Sequence, residues 1–196
     1  MFETVKLFEN KIAEYFGAPY CISTDSCTHA IELCLRYTKQ KVLSVPRHTY
    51  ISVPFTLIKL DNPVVWEDNP WQDFYTLSGT DIIDAACYWK QSGYLHNSFM
   101  CLSFQYKKHL KLGRGGAILC SYKDDYEILS AMRYDGRNIL LPWAQQDIKI
   151  VGYHYYMTPE NAAEGIEKFN EVKDLPPRKF TYKDYPDLSL MSVFNE

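Results

Sequence analysis

The 196-residue sequence has no apolar run approaching the ~20 residues that span a bilayer, which excludes a membrane-crossing helix on hydropathy. Positive charge is not in excess either. The formal net charge is −3, and no basic stripe interleaved with aromatics offers nucleic acid an electrostatic footprint. Six cysteines are present without the paired short spacing of a zinc site, so no metal centre is predicted. Cys21, Cys34, Cys87, Cys101 and Cys120 lie in or beside apolar runs, as free core thiols of a reducing compartment do. Met1 leads straight into an amphipathic pattern without the basic segment, apolar segment and cleavage site of a secretory signal, so a cytoplasmic location is predicted. Internal repeats and low-complexity segments are absent. What is there is globular: 46% hydrophobic and 15% aromatic residues, enough for one core and one domain. A small molecule is the partner this balance favours.

Phe8, Ile12 and Phe16 recur at helical spacing, and Gly17-Ala18-Pro19 ends that helix before an apolar run from Tyr20 to Ser23. A polar turn from Thr24 to Thr28 leads into a second helix with Ile31, Cys34 and Leu35 on one face. Further strands are predicted at Val42 to Val45, Pro63 to Trp66, Asp81 to Asp84, Phe99 to Phe104 and Gly116 to Cys120. They are apolar on both faces and separated by helices or long connections, which predicts an α/β three-layer sandwich with a largely parallel sheet. Helices at Asp124 to about Tyr134 and Pro159 to about Val172 follow, the latter with Thr158 as N-cap. Residues 1–174 form the predicted single domain. Residues 175–196, rich in proline, aromatics and charge without periodicity, form a C-terminal tail that packs on a surface or a partner.

Three chemical groups fall at predicted strand ends, where α/β sheets hold ligands. Ser26-Cys27-Thr28 opens a helix; its amides and hydroxyls suit a phosphate, and ordinary N-capping accounts for the hydroxyls equally. Asp84 ends a strand and is followed by the small residues Ala85 and Ala86, although a solvated strand-end carboxylate has the same pattern. Lys108 follows Ser103-Phe104 and precedes Gly113-Arg114-Gly115-Gly116; alone, that stretch reads first as a solvated basic turn. Together they supply what pyridoxal 5'-phosphate requires: a cradle for the phosphate, a carboxylate for the pyridine nitrogen and a lysine for a Schiff base.

Their order resembles the DegT/DnrJ/EryC1/StrS family of sugar aminotransferases. The matching positions are Phe8-Glu9 with Ala13 and Gly17; Ser26-Cys27-Thr28; Pro46 to Tyr50; Asp84-Ala85-Ala86; Ser103-Phe104 with Lys108; Gly113 to Gly116; Arg133 to Gly136; and Gly152 to Met157 before Ala162-Ala163. The resemblance implies the large domain of the pyridoxal-phosphate transferase fold type I, trimmed. It implies Lys108 as Schiff-base lysine and proton shuttle, Asp84 as partner of the pyridine nitrogen, and Tyr50 as the aromatic stacked on the ring. Ser26, Cys27, Thr28 and Ser103 take phosphate-binding positions. Cys87 stands beside the cofactor hydroxyl, and His154 at the position that reaches a neighbouring subunit's phosphate.

Several residues depart from the family pattern. Cys27 replaces a turn glycine, making any positive φ there costly. Cys87 replaces a Gln or His, Gln105 a His, Arg114 a Glu, His154 an Asn and Tyr156 an Arg. The Trp66–Asp81 connection is short, the segment before Phe8 is trimmed, and little follows Val172 to build the family's small C-terminal domain. The resemblance therefore implies either an aminotransferase moving an amino group from an amino acid such as glutamate to a keto group of a nucleotide-linked sugar, or a cofactor-binding or fold-only homologue acting by association. The family's dehydratases carry His in place of the lysine; Lys108 opposes that chemistry, His109 lying one place out of register. A homodimer with shared sites is implied in either case.

Overall fold

The computed structural model describes residues 2–195; Met1 and Glu196, the outer ends of the predicted domain and tail, lie outside the described residues. Helix α1 (Phe2–Phe16) buries Val5, Phe8, Ile12 and Phe16 along one face and stops at Gly17, whose φ of 72° suits glycine. Strand β1 (Tyr20–Thr24), helix α2 (Cys27–Thr38), strand β2 (Val45–Pro46), helix α3 (Ser52–Lys59) and strands β3 (Trp66–Glu67), β4 (Tyr75–Thr76), β5 (Ile82–Asp84), β6 (Phe99–Ser103) and β7 (Gly116–Cys120) follow. Helices α4 (Lys123–Arg133) and α5 (Pro159–Val172) complete the regular elements. No helix among the described residues is long and apolar enough to cross a membrane.

The central sheet has the order β1-β7-β6-β5-β4, and β2 pairs with β3 in a separate two-stranded ladder. Alternate residues serve opposite faces. Cys21, Ile83, Met100, Leu102 and Leu119 pack with α1 and α5, whereas Ile22, Ile82, Cys101, Ile118 and Cys120 pack with α2, α3 and α4. This is the predicted three-layer α/β sandwich.

Strand polarity corrects one expectation. The sheet is mixed rather than largely parallel: β5 and β6 are parallel, whereas β7 runs antiparallel to both β6 and β1, and β4 antiparallel to β5. Burial on both faces comes from the flanking helices and is indifferent to direction. Direction is set by connections, and those from β4 to β5 and from β6 to β7 contain no crossover helix. The predicted strand at Val42 to Val45 contracts to Val45–Pro46, and that at Pro63 to Trp66 to Trp66–Glu67.

This topology decides where ligands gather. β1, β5 and β6 run the same way, so their C-terminal ends, and the N-terminal end of β7, meet at one edge of the sheet. The C-terminal segment returns to that edge: Phe180 accepts from the Asp73 amide at 2.8 Å, Tyr182 donates to Trp71 O at 3.1 Å, and Leu188 donates to Arg47 O at 2.9 Å. It contains short 3-10 turns at Tyr182–Asp184, Leu188–Leu190 and Ser192–Phe194.

Candidate active site

A cavity of about 300 Å³ opens at this edge, lined among others by Ser26, Cys27, Thr28, Tyr50, Asp84, Ser103 and Lys108. Thus seven of the nine residues singled out in the sequence share one wall-to-wall space. Cys87 lies just beyond, touching Lys108, and His154 lies elsewhere.

Asp84 ends β5 and is 6% exposed. Its Oδ2 accepts from Tyr75 Oη at 2.8 Å and its Oδ1 from the Ala86 amide at 3.0 Å; Tyr75 stands opposite it in the β4–β5 register, with Thr49 Oγ1 2.5 Å from the phenol oxygen. Burial pushes the Asp84 carboxyl above its ordinary pKa, against the pull of those two donors and the Lys108 charge. No Lys, Arg or His nitrogen among the described residues lies within ion-pair distance of it.

Lys108 sits in the β6–β7 connection, whose shape is set by backbone bonds from Phe104 to Gly115 O, from Leu112 to Phe104 O and from Lys108 to Gln105 O. Its Nζ donates to Cys87 Sγ at 3.1 Å and Tyr185 Oη at 3.5 Å and lies 5.2 Å from the Phe180 ring centroid. Lys107 is exposed, with its amine over Tyr106, and does not line the Asp84 cavity. Of the two adjacent lysines, Lys108 is the one that lines the cavity with Asp84. Burial raises the Cys87 thiol pKa although Lys108 opposes the shift, so Cys87 offers a neutral S–H. Burial also raises the Tyr185 phenol.

At the opposite end, Ser26 is the N-cap of α2. Its Oγ accepts from the His29 amide at 3.3 Å and donates to Asp25 Oδ1 at 3.1 Å, so the capping role foreseen for this hydroxyl is present. The Cys27 thiol points into the core and donates to Cys101 O at 3.4 Å, with its pKa pushed well up by burial. What Cys27 can offer a ligand is its amide, which with that of Thr28 lies at the open helix end. Cys27 begins the helix and is not among the positive-φ residues, so replacing a glycine there carries no backbone penalty. Gly116 makes this turn possible: a Cβ on it would overlap the backbone of Ser26 and Cys27. Thr28 Oγ1 is 2.7 Å from Ser52 Oγ, and Ser103 Oγ accepts from the Gln105 amide at 3.4 Å. Half-exposed Tyr50 forms a side wall just ahead of α3.

His154 is outside the cavity. It is mostly exposed and its Nδ1 is 3.2 Å from both Asp135 carboxylate oxygens. Tyr75, backed by Thr49, supports Asp84, and Phe180 and Tyr185 flank the Lys108 amine; of these only Thr49 falls in a stretch, Pro46 to Tyr50, that the sequence marks. Tyr75 emerges from the β4–β5 register, and Phe180 and Tyr185 from the fold-back of an aperiodic tail.

These residues fit pyridoxal 5'-phosphate. A buried carboxylate without a cationic partner faces the same cavity as a lysine amine, and the open end of a helix borders that cavity. Solved structures share the fold. AtS13 from Actinomadura melliaura superposes with a TM-score of 0.75 at 20% identity, covering 87% of this chain and 60% of that one. Spr1654 from Streptococcus pneumoniae, solved in its PLP form, gives 0.71 at 17% identity, with 86% and 59% covered. A GDP-4-keto-6-deoxymannose-3-dehydratase with bound GDP-perosamine gives 0.68 at 20% identity, with 87% and 61% covered. The chain thus has the fold of the type I pyridoxal-phosphate transferases and spans about three-fifths of the length of these solved chains.

The model of the DegT/DnrJ/EryC1/StrS aminotransferase family matches residues 1–75 and 76–188, and the chain belongs to that family. The aminotransferases of that family depend on pyridoxal phosphate. A search of curated protein sequences finds no match.

Proposed function

We propose that this chain is a pyridoxal-phosphate-dependent aminotransferase of the sugar type, moving an amino group from glutamate to a keto group of a nucleotide-linked sugar. The observation carrying this reading is that Lys108 and buried Asp84 line one cavity beside the open end of α2. When bound, pyridoxal phosphate supplies an aldehyde for covalent attachment and a ring that withdraws electrons from a substrate carbon. Lys108 Nζ provides the amine for that attachment and carries a proton to and from the substrate carbon. Asp84, buried and positioned by Tyr75 and Ala86, keeps the ring nitrogen protonated. The amides of Cys27 and Thr28, with the Ser26 turn and Ser103 Oγ, would hold the phosphate; Tyr50 would lie against the ring and Cys87 near its hydroxyl.

His109 does not compete for the role of Lys108. Its Nε2 lies 2.8 Å from Val172 O and its ring packs near Trp89, which favours amination over a His-based dehydration.

We place residues 1–174 as the cofactor domain and residues 175–196 as a segment that walls the site. The chain acts in the cytoplasm, in polysaccharide biosynthesis, as a homodimer. Leu140, Leu141, Trp143 and Val151 are each more than half exposed, and a second copy is the cover proposed for them. His154 then serves the partner's phosphate.

The test is a half-reaction. Adding glutamate to the protein loaded with pyridoxal phosphate is expected to release one 2-oxoglutarate per site and bleach the visible cofactor band, and Lys108→Ala to do neither. A second reading, a binding-only homologue, is favoured by the contact of Tyr185 and Phe180 with the Lys108 amine. It stands if the cofactor binds and neither glutamate nor any other amino acid is converted.

A further inference from the structure

The cavity is polar at both ends in different ways. Its inner end holds the Asp84 carboxylate; its rim combines the start of α2 with the guanidinium of Arg114. Arg114 Nη2 donates to Asp25 Oδ2 at 2.7 Å, its side chain's one hydrogen bond to protein among the described residues. A guanidinium has five N–H donors in a planar fork, so most of them remain available to a ligand at the rim.

The arrangement is anchored. Asp25 is held through its other oxygen by His29 Nδ1 at 2.6 Å and Ser26 Oγ at 3.1 Å. Asn161 Nδ2 donates to Arg114 O at 2.9 Å and the Arg114 amide to Leu112 O at 2.7 Å, fixing the backbone from which the side chain projects. Asp25 alone would repel a phosphate at the helix end. Arg114 offsets that carboxylate's charge and still has donors free for a ligand.

We propose that Arg114 is a ligand of the cofactor phosphate, supplied by the same chain whose α2 start borders the site. The inference rests on the cofactor reading above, and its test separates the two. Equilibrium dialysis compares pyridoxal 5'-phosphate with pyridoxal, which differ only in the phosphate, on the wild-type chain, Arg114→Gln and Arg114→Lys.

The wild type is expected to favour the phosphorylated probe. Arg114→Gln is expected to reduce that preference about tenfold, the scale of one partly exposed charge-assisted hydrogen bond, while pyridoxal affinity stays unchanged. Arg114→Lys, which keeps the charge and loses the fork, recovers part of the preference. An Arg114→Gln protein with undiminished preference overturns the inference and leaves the cofactor reading intact. A wild type that binds neither probe overturns both. Arg114 is two-thirds exposed, and its variants are expected to keep the wild-type circular dichroism.

Discussion

Glu9 in α1 and Arg133 at the end of α4 form an ion pair in the interior, with side chains 1% and 4% exposed. Ser23 of β1 sits between them: its amide and hydroxyl donate to Glu9 Oε1, both at 2.9 Å, and Arg133 Nη1 donates to Ser23 O at 2.6 Å. Replacing Glu9 with Leu leaves the guanidinium buried without a counter-charge and the Ser23 amide without its acceptor. Breaking such a pair on one side costs about 3–5 kcal/mol. Against a total stability of about 5–15 kcal/mol, and at about 2–4 °C per kcal/mol for a chain of this size, the melting midpoint should fall on the order of 10 °C. The double variant Glu9→Leu with Arg133→Met removes both charges and leaves chiefly the unpaired Ser23 groups, a loss of about 1–3 kcal/mol. It should therefore be more stable than the single variant. Urea denaturation followed by circular dichroism measures both. A single variant within about 1 kcal/mol of wild type, or a double variant as unstable as the sum of the singles, would refute the reasoning. Because Ser23 lies three residues before Ser26, the single variant should also hold pyridoxal phosphate less tightly.

Gly116→Ala drives a Cβ into the backbone of Ser26 and Cys27; a loss of about 1–3 kcal/mol and a weakened affinity for pyridoxal phosphate should appear together in thermal melts and dialysis. Burial holds the Asp84 carboxyl above its ordinary pKa, so between the unfolded and native values the folded state binds the extra proton, and stability falls as pH rises through that window. Asp84→Asn removes the effect because an amide does not titrate, and Tyr75 can turn its hydroxyl toward Thr49 and accept from that amide. The cofactor-free variant should be more stable than wild type near neutral pH and lose that advantage at acid pH in pH-dependent melts, while no longer retaining the cofactor.

Elements with strong periodicity were legible in the sequence. Phe8, Ile12 and Phe16 mark α1, Thr158-Pro159 opens α5 where a helix was expected, and Gly116–Cys120 is the strand β7. The eight residues of α3 are too few for a period to emerge, and the two residues of β4 present no pattern at all. Strand direction was misread because apolar runs report burial and not polarity. That Ser26 to Thr28, Asp84 and Lys108 would gather at one edge was legible, since each ends or follows a strand that the pattern located. Tyr75 and Tyr185 were not, because nothing local to either residue marks it: one depends on register across β4 and β5, the other on a segment whose backbone is tied to Arg47, Trp71 and Asp73.

Borohydride reduction of the protein incubated with pyridoxal phosphate, followed by peptide mapping, tests the central claim most directly. The account predicts a single pyridoxyl group on Lys108, none on Lys107, and none after Lys108→Ala. A label on Lys107, a spread over surface lysines, or no label at all would contradict it.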